Sequence, residues 1–104
     1  GNRGGDVLIG GKGKNKFVYA AINDSPNRKG EQDQILGFGK KDKLDLSGFS
    51  QKLRFIGSDG FKGTAGVVRF KNETLEMDHN GDGSADFAVL MSGVNSLKGS
   101  NLIL

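Results

Sequence analysis

The chain opens with two consecutive nine-residue windows, residues 1–9 and 10–18, each a glycine-rich turn followed by a short apolar stretch. Both fit loosely the pattern G-G-x-G-x-D-x-U-x, in which the apolar position U is Leu8 and Phe17. The glycines allow a tight turn that aims carbonyl oxygens at a cation, and the sixth residue adds a side-chain oxygen. Because one turn supplies only part of a coordination shell, the pattern predicts stacked turns of parallel strands with calcium ions between them.

The two windows depart from this pattern, and the departures affect the expected ligands. The sixth residue of the second window is Asn15, which offers a neutral amide oxygen where Asp6 offers a carboxylate in the first. A flexible glycine-rich linker is the alternative interpretation, but such a linker has no reason to repeat an apolar residue nine positions apart. We expect these residues of the two turns to supply oxygens to calcium: Gly1, Arg3, Asp6, Gly10, Lys12 and Asn15.

Later carboxylates could complete these half-sites. In a two-sided coil, turns on the same edge recur at about eighteen residues. Asp24 stands at that distance from Asp6, and Asp33, preceded by Gly30, stands at that distance from Asn15. The spacing predicts two calcium sites, one between the first turn and Asp24 and one between the second turn and Asp33. The alternative is that Asp24 caps a turn and Asp33 begins a strand.

A third candidate calcium site lies in residues 78–86, which follow D-x-N-x-D-G-x-x-D, close to the ligand spacing of an EF-hand loop. The acidic ligand expected at position twelve is missing, because that position is Val89. Asn80-Gly81 and Asp82-Gly83 are also hairpin signals, so a plain turn is the alternative. The candidate ligands are Asp78, Asn80, Asp82, Ser84 through its carbonyl, and Asp86.

The composition favours an all-β fold with very little helix. The chain has 104 residues with 18 glycines, one proline and no tryptophan, which suits short strands and tight turns. Cysteine is absent, so disulfides cannot stabilise this small domain, and bound ions are the remaining way to cross-link it.

No stretch reaches the roughly 18 apolar residues of a membrane span, and no signal peptide is apparent. The chain lacks an initial Met, and we expect it to be a piece of a longer polypeptide.

The apolar pattern divides the chain, which we expect to be a single domain over 1–104, into two parts. Residues 1–33 would form the last turns of a short parallel β-roll and a calcium loop. Residues 34–104 would form an antiparallel strand meander or sandwich that caps the open strand edges of the roll. Strands are predicted at 34–38, 43–46, 53–56, 67–71, 74–77 and 86–91, a helical turn at 61–65, and another at 95–101. Residues 39–42 are predicted to form a hairpin-like turn.

No catalytic arrangement is apparent. His79 is the only histidine, no H-E-x-x-H motif occurs, and the carboxylates already have ion-ligand spacing. The net charge of +3 allows a second interpretation, a module that binds anionic polysaccharide. An excess this small is more often a solvated face, and we expect no nucleic-acid partner. The residues of the possible polyanion strip are Lys12, Lys14, Lys16, Arg28 and Lys29.

Several stretches resemble a known family. They are 16–19 (KFVY), 33–38 (DQILGF) and above all 42–49 (DKLDLSGF), joined to the two nonapeptides. In this order they resemble the C-terminal β-roll domain of serralysin-type secreted metalloproteases and related RTX proteins. Residues 55–57, 61–66, 86–87 and the tail look like the same domain, so the resemblance covers nearly the whole chain.

The resemblance implies a non-catalytic module that folds on extracellular calcium and follows an upstream domain of the same polypeptide, whose activity it does not specify. It also implies export from a Gram-negative bacterium by a type I secretion machinery, through an uncleaved C-terminal signal. In that family the last four residues are typically an acid followed by three apolar residues. This chain ends Asn101, Leu102, Ile103, Leu104, which keeps the apolar residues and replaces the acid with an amide.

Overall fold

The computed structural model describes residues 7–11, 13–19, 32–49 and 51–104. Over these residues the chain forms nine short strands and one 3₁₀ turn, Gly99–Asn101. The strands are β1 Val7–Ile9, β2 Lys16–Val18, β3 Asp33–Leu36, β4 Lys43–Asp45, β5 Arg54–Phe55, β6 Val67–Lys71, β7 Thr74–Asp78, β8 Phe87–Ser92 and β9 Leu102–Ile103. None of the described residues belongs to a helix long and apolar enough to cross a membrane.

The strands form two sheets. The larger has six strands in the order β1-β3-β8-β7-β6-β5, and the smaller has three in the order β2-β4-β9. The smaller sheet is parallel throughout. In the larger, β1, β3 and β8 run parallel, β6, β7 and β8 form an antiparallel meander, and β5 runs parallel to β6. The chain therefore combines a parallel coil with an antiparallel meander in one continuous sheet.

The register of the parallel strands gives the repeat length of the coil. Val7 pairs with Gln34 in one sheet, and Lys16 pairs with Lys43 in the other, so the stacked strands are 27 residues apart. The expected spacing of eighteen is therefore wrong for these strands. The physical reason is the length of the connection between β2 and β3, which is longer than the connection between β1 and β2. Because of this longer connection, β3 and β4 are three nonapeptide lengths, not two, from the strands on which they stack.

One hydrophobic core takes side chains from both sheets. Alternate residues of each strand point inward, as the period of two requires. Leu8, Ile35 and Met91 are neighbours across three parallel strands, and Ile35 and Met91 are fully buried. Phe87 packs edge-on against Tyr19 and Phe49, with ring centroids 5.3 and 5.5 Å apart. The described part of the chain is thus closed around aromatic and branched side chains that sit between the two sheets.

The structure confirms the all-β prediction and corrects its details. The strand expected at 67–71 is reproduced, and those expected at 34–38, 43–46, 53–56, 74–77 and 86–91 are found with slightly different ends. Parallel pairing reaches beyond residue 33, because β3, β4, β8 and β9 continue the two stacks.

Three predicted turns differ from the structure. Residues 61–65 form no helical turn, and only the last three residues of 95–101 do. Residues 39–42 do form a turn, with the Asp42 amide donating to the Gly39 carbonyl at 3.1 Å. It is not a hairpin, because β3 and β4 lie in different sheets.

Candidate metal centre

Three carboxylates converge in the loop that joins β7 to β8. Asp78 is the last residue of β7 and fully buried, Asp82 is at the exposed tip, and Asp86 directly precedes β8. Each can offer one oxygen such that all three oxygens lie within 4.8 Å of one another. The strands position the first and last of these residues, since β7 and β8 are paired up to Met77 and Phe87. The loop therefore brings three of the sequence-predicted ligands into one place.

Backbone amides hold the carboxylates of the loop in position. The two oxygens of Asp78 accept hydrogen bonds from the amides of Gly81 and Gly83, at 2.8 and 2.9 Å. Asp82 accepts from the Ser84 amide at 2.9 Å, and Asp86 accepts from the His79 amide at 3.0 Å. These local bonds are the usual reason that Asp and Asn favour turns. They shape the loop before any ion binds.

The donor set suits a hard cation. A carboxylate oxygen has two acceptor sites, so an oxygen that accepts one amide still has a lone pair for a metal. Calcium takes oxygen ligands almost exclusively and tolerates irregular geometry, whereas a soft metal would require nitrogen or sulfur. Three negative charges at this separation also repel one another unless a cation lies between them. The residues present therefore fit calcium.

The other predicted ligands of this loop are Asn80 and Ser84, which also lie between β7 and β8. The Asn80 side chain accepts a hydrogen bond from the Asp82 amide at 3.2 Å, which uses one of its acceptor sites. Ser84 is exposed, and Val89 at position twelve is fully buried in β8. A bidentate acid at that position, as in an EF-hand, is therefore replaced by a core side chain. A shell built from this loop therefore has no bidentate acid at its twelfth position.

The loop is packed against a neighbouring segment through Gly81. Its φ of +79° is in the left-handed region, and a Cβ there would lie 3.0 Å from the Ala65 amide nitrogen and 3.1 Å from the Gly63 oxygen. Gln51 adds a second contact, donating from Nε2 to the His79 carbonyl at 2.8 Å while its Oε1 lies 2.6 Å from His79 Nδ1. The acidic loop is thus held from two sides by residues outside it.

A second polar centre joins the turn before β2 to the turn before β4. Asp42 is buried, with 2 % of its surface exposed. Its Oδ1 accepts from the Asn15 amide at 2.7 Å and from Asn15 Nδ2 at 3.1 Å, and its Oδ2 accepts from the Gly39 amide at 2.8 Å. Burial alone would raise the pKa of the Asp42 carboxyl, but the hydrogen bonds from Gly39 and Asn15 together lower it below 3.8.

This arrangement corrects the predicted partner of Asn15. The carboxylate that meets Asn15 is Asp42, not Asp33, because the turns stack with the 27-residue spacing of their strands. Asp33 is the first residue of β3 in the other sheet, fully buried, and accepts a hydrogen bond from the Tyr19 hydroxyl at 3.0 Å. Asp33 therefore begins a strand, as the alternative interpretation of the sequence expected.

Sequence reasoning missed Asp42 as a partner, although a signal was present. Residues 15–17 (NKF) and 42–44 (DKL) share a polar residue, a lysine and an inward apolar residue in that order. Gly10, at the start of the turn, is stacked in the same way on the residues that follow β3. Its amide donates to the Leu36 carbonyl at 2.8 Å, and a Cβ on Gly10 would lie 2.6 Å from the Gly37 oxygen. Only glycine fits such an approach.

The other predicted site residues are distributed as follows. Gly1, Arg3, Asp6, Lys12, Asp24, Arg28, Lys29 and Gly30 lie outside the described residues. Lys14 and Lys16 of the possible polyanion strip are exposed, and Lys16 Nζ lies 3.8 Å from Asp45 Oδ2. The Ser47 hydroxyl and amide lower the pKa of Asp45, partial burial opposes them, and Lys16 adds to the lowering.

The predicted secretion tail is part of the folded structure. Leu102 and Ile103 form β9 and extend the smaller sheet beside β4. The Asn101 side chain is buried and donates from Nδ2 to the carbonyls of Lys40 and Asp42, at 3.2 and 3.1 Å. Leu104 remains 44 % exposed. The amide that replaces the expected acid therefore has two acceptors of its own.

Parallel strands joined by glycine turns, an antiparallel meander and an acidic loop define an all-β module of the calcium-binding repeat class. The family model for the Peptidase M10 serralysin C terminal matches residues 1–104, the whole chain. The chain therefore belongs to the serralysin C-terminal family, which is a calcium-binding, non-catalytic C-terminal module in general. No curated protein sequence matches the chain individually.

Proposed function

We propose that this chain is the calcium-binding C-terminal module of a larger protein secreted by a Gram-negative type I system, and that it folds fully once it meets extracellular calcium. The family gives the general class. The observation that carries the finer proposal is the convergence of Asp78, Asp82 and Asp86, whose oxygens lie within 4.8 Å of one another. These carboxylates sit at the turn between two core strands, so an ion bound there stabilises β7 and β8 directly.

Calcium acts as a folding switch through linkage. In a calcium-poor cytosol the three carboxylates repel one another and weaken the meander, which favours a loose chain. Outside the cell, calcium binds the folded state and not the unfolded chain, so it adds stability in proportion to its saturation. Extracellular modules need only weak sites, on the order of 10⁻⁴ to 10⁻³ M. A shell without a bidentate acid at its twelfth position is consistent with such an affinity.

The folded position of the tail couples export to this switch. Leu102 is 8 % exposed, and the Leu46 amide donates to the Ile103 carbonyl at 2.7 Å. A transporter that recognises the last residues of the chain needs them to be accessible. Leu102 and Ile103 are accessible only before β9 joins the smaller sheet. Low calcium during export and high calcium afterwards would give the required order of events.

The calcium site is tested by calorimetry. Asp82→Ala removes an exposed carboxylate and leaves the buried Asp78 in place, so we expect it to lose one bound calcium and retain the fold. Asp59→Ala, an exposed carboxylate outside the loop, is the control and should keep the wild-type stoichiometry. An unchanged stoichiometry in Asp82→Ala contradicts a site in this loop.

The switch and the export role need separate measurements. Circular dichroism during a chelator titration should show loss of strand signal that calcium restores, and full strand signal without calcium contradicts the switch. For export, a reporter fused upstream of the chain and co-expressed with a type I exporter should appear in the medium. Removal of residues 101–104 should abolish this, and undiminished export contradicts the role of the tail.

A further inference from the structure

A groove of about 410 Å³ lies between the turn that follows β3 and the segment that precedes the C-terminal strand. Phe38, Gly39 and Lys40 form one wall, and the other wall is formed by residues of the stretch 93–101. This volume is at the small end of the range for ligand pockets, about 300 to 1,000 Å³. The acidic loop contributes no residue to it, so the groove is separate from the candidate calcium site.

The two walls of the groove are fixed to each other. The Asn101 side chain donates to the Lys40 carbonyl at 3.2 Å on one wall and accepts from the Lys98 amide at 3.2 Å on the other. Lys43 Nζ also donates to the Ser100 carbonyl at 3.2 Å. The Phe38 ring packs against Phe17, with centroids 6.0 Å apart. The groove is therefore formed by connected residues, and a ligand would meet a preorganised surface.

The groove is cationic and amphipathic. Lys40 and Lys98 both line it and are exposed, no Asp or Glu is among the described residues that line it, and neither lysine forms an ion pair with a described residue. Phe38 and Val94 supply apolar surface. The uncharged polar lining consists of Asn95, Ser96, Ser100 and Asn101.

We propose that this groove binds a hydroxylated carboxylate of the sugar-acid class, one uronate unit. Its carboxylate would be held by the ammonium groups of Lys40 and Lys98, since hydrogen bonds to ionised partners are the strong ones. Its hydroxyls match the amide and hydroxyl side chains, and its C–H face can cover Phe38. Inorganic phosphate would leave the apolar wall unused, and a neutral sugar would leave both cations uncompensated.

The test is an NMR titration of the 104-residue chain with sodium glucuronate, at constant saturating calcium. We expect shifts at residues 38–40 and 93–101 that saturate and weaken with salt. Lys40→Gln combined with Lys98→Gln should reduce the affinity about tenfold or more. Lys52→Gln combined with Lys62→Gln removes two exposed charges outside the groove and should change nothing. Circular dichroism checks that both double variants keep the fold.

Matched probes distinguish the ligand class. Glucose should bind more weakly than glucuronate, and inorganic phosphate should not reproduce the shifts at Phe38 and Val94. A glucuronate oligomer that binds more tightly than the monomer indicates a polysaccharide source, and equal binding indicates the free sugar acid. The proposal is overturned if glucuronate causes no shifts in the groove, if phosphate binds there as tightly, or if the Lys40/Lys98 variant binds as the wild type does.

Discussion

Asn15 donates two hydrogen bonds to one oxygen of Asp42, from its backbone amide at 2.7 Å and from its side-chain Nδ2 at 3.1 Å. The other oxygen of Asp42 accepts from the Gly39 amide at 2.8 Å. One buried carboxylate therefore joins the turn before β2 to the turn before β4. The neutral Asn15 suits this role, because a carboxylate at the same position would face the charge of Asp42 without a proton to donate.

Asp42→Asn should destabilise the chain by about 1 to 3 kcal/mol, because an amide cannot accept on both sides as the carboxylate does. One of the donors from Asn15 or Gly39 then loses its acceptor in a partly buried position. Urea unfolding at neutral pH and constant calcium measures the change. Asp59→Asn, at an exposed carboxylate, is the matched control and should stay within about 0.5 kcal/mol of the wild type.

The contribution of Asp42 should also depend on pH. Its pKa in the folded chain is lowered from 3.8, so the ionised form stabilises the folded state. The stabilisation by the ionised Asp42 carboxylate is complete above the pKa that Asp42 has in the unfolded chain. It is lost as the pH falls through the lower pKa that Asp42 has in the folded chain. The difference in unfolding free energy between wild type and Asp42→Asn should therefore be constant down to about pH 5 and shrink below about pH 4. A difference that grows on acidification contradicts this assignment.

The strands could be predicted from local pattern, whereas the only sign of the stacking in the sequence is the likeness of two distant segments, 15–17 and 42–44. Alternating apolar residues identify the strand at 67–71 because one face of each strand must reach the core. The partner of Asn15 depends instead on how many residues the chain uses between β2 and β3, and a turn motif carries no information on that length. Spacing within one loop is local, which is why the convergence of Asp78 and Asp86 was predictable.

Two glycines of the acidic loop should differ in their tolerance of alanine. Gly81 and Gly83 have φ of +79° and +83°, so Ala at either position costs about 1 to 2 kcal/mol of left-handed strain. A Cβ on Gly83 meets nothing within 4 Å, whereas on Gly81 it lies 3.0 Å from the Ala65 amide nitrogen. Gly81→Ala should therefore lose about 1 kcal/mol more than Gly83→Ala in urea unfolding, and bind calcium more weakly. Equal losses would show that the contact with the 63–65 segment does not hold the loop.

Replacing Asn101 with the acid that is typical of the family should release β9 from β4. In Asn101→Asp the two hydrogen bonds to the carbonyls of Lys40 and Asp42 are lost, and a carboxylate oxygen then faces those carbonyls. We expect a loss of about 2 kcal/mol, because one buried and one partly buried acceptor lose their donor. Hydrogen exchange of the Leu46 amide, which donates to Ile103 at 2.7 Å, reports on β9 and should accelerate. Asn95→Asp places the same charge on an exposed residue and should leave this amide protected, whereas unchanged exchange in Asn101→Asp would show that Asn101 does not hold the tail.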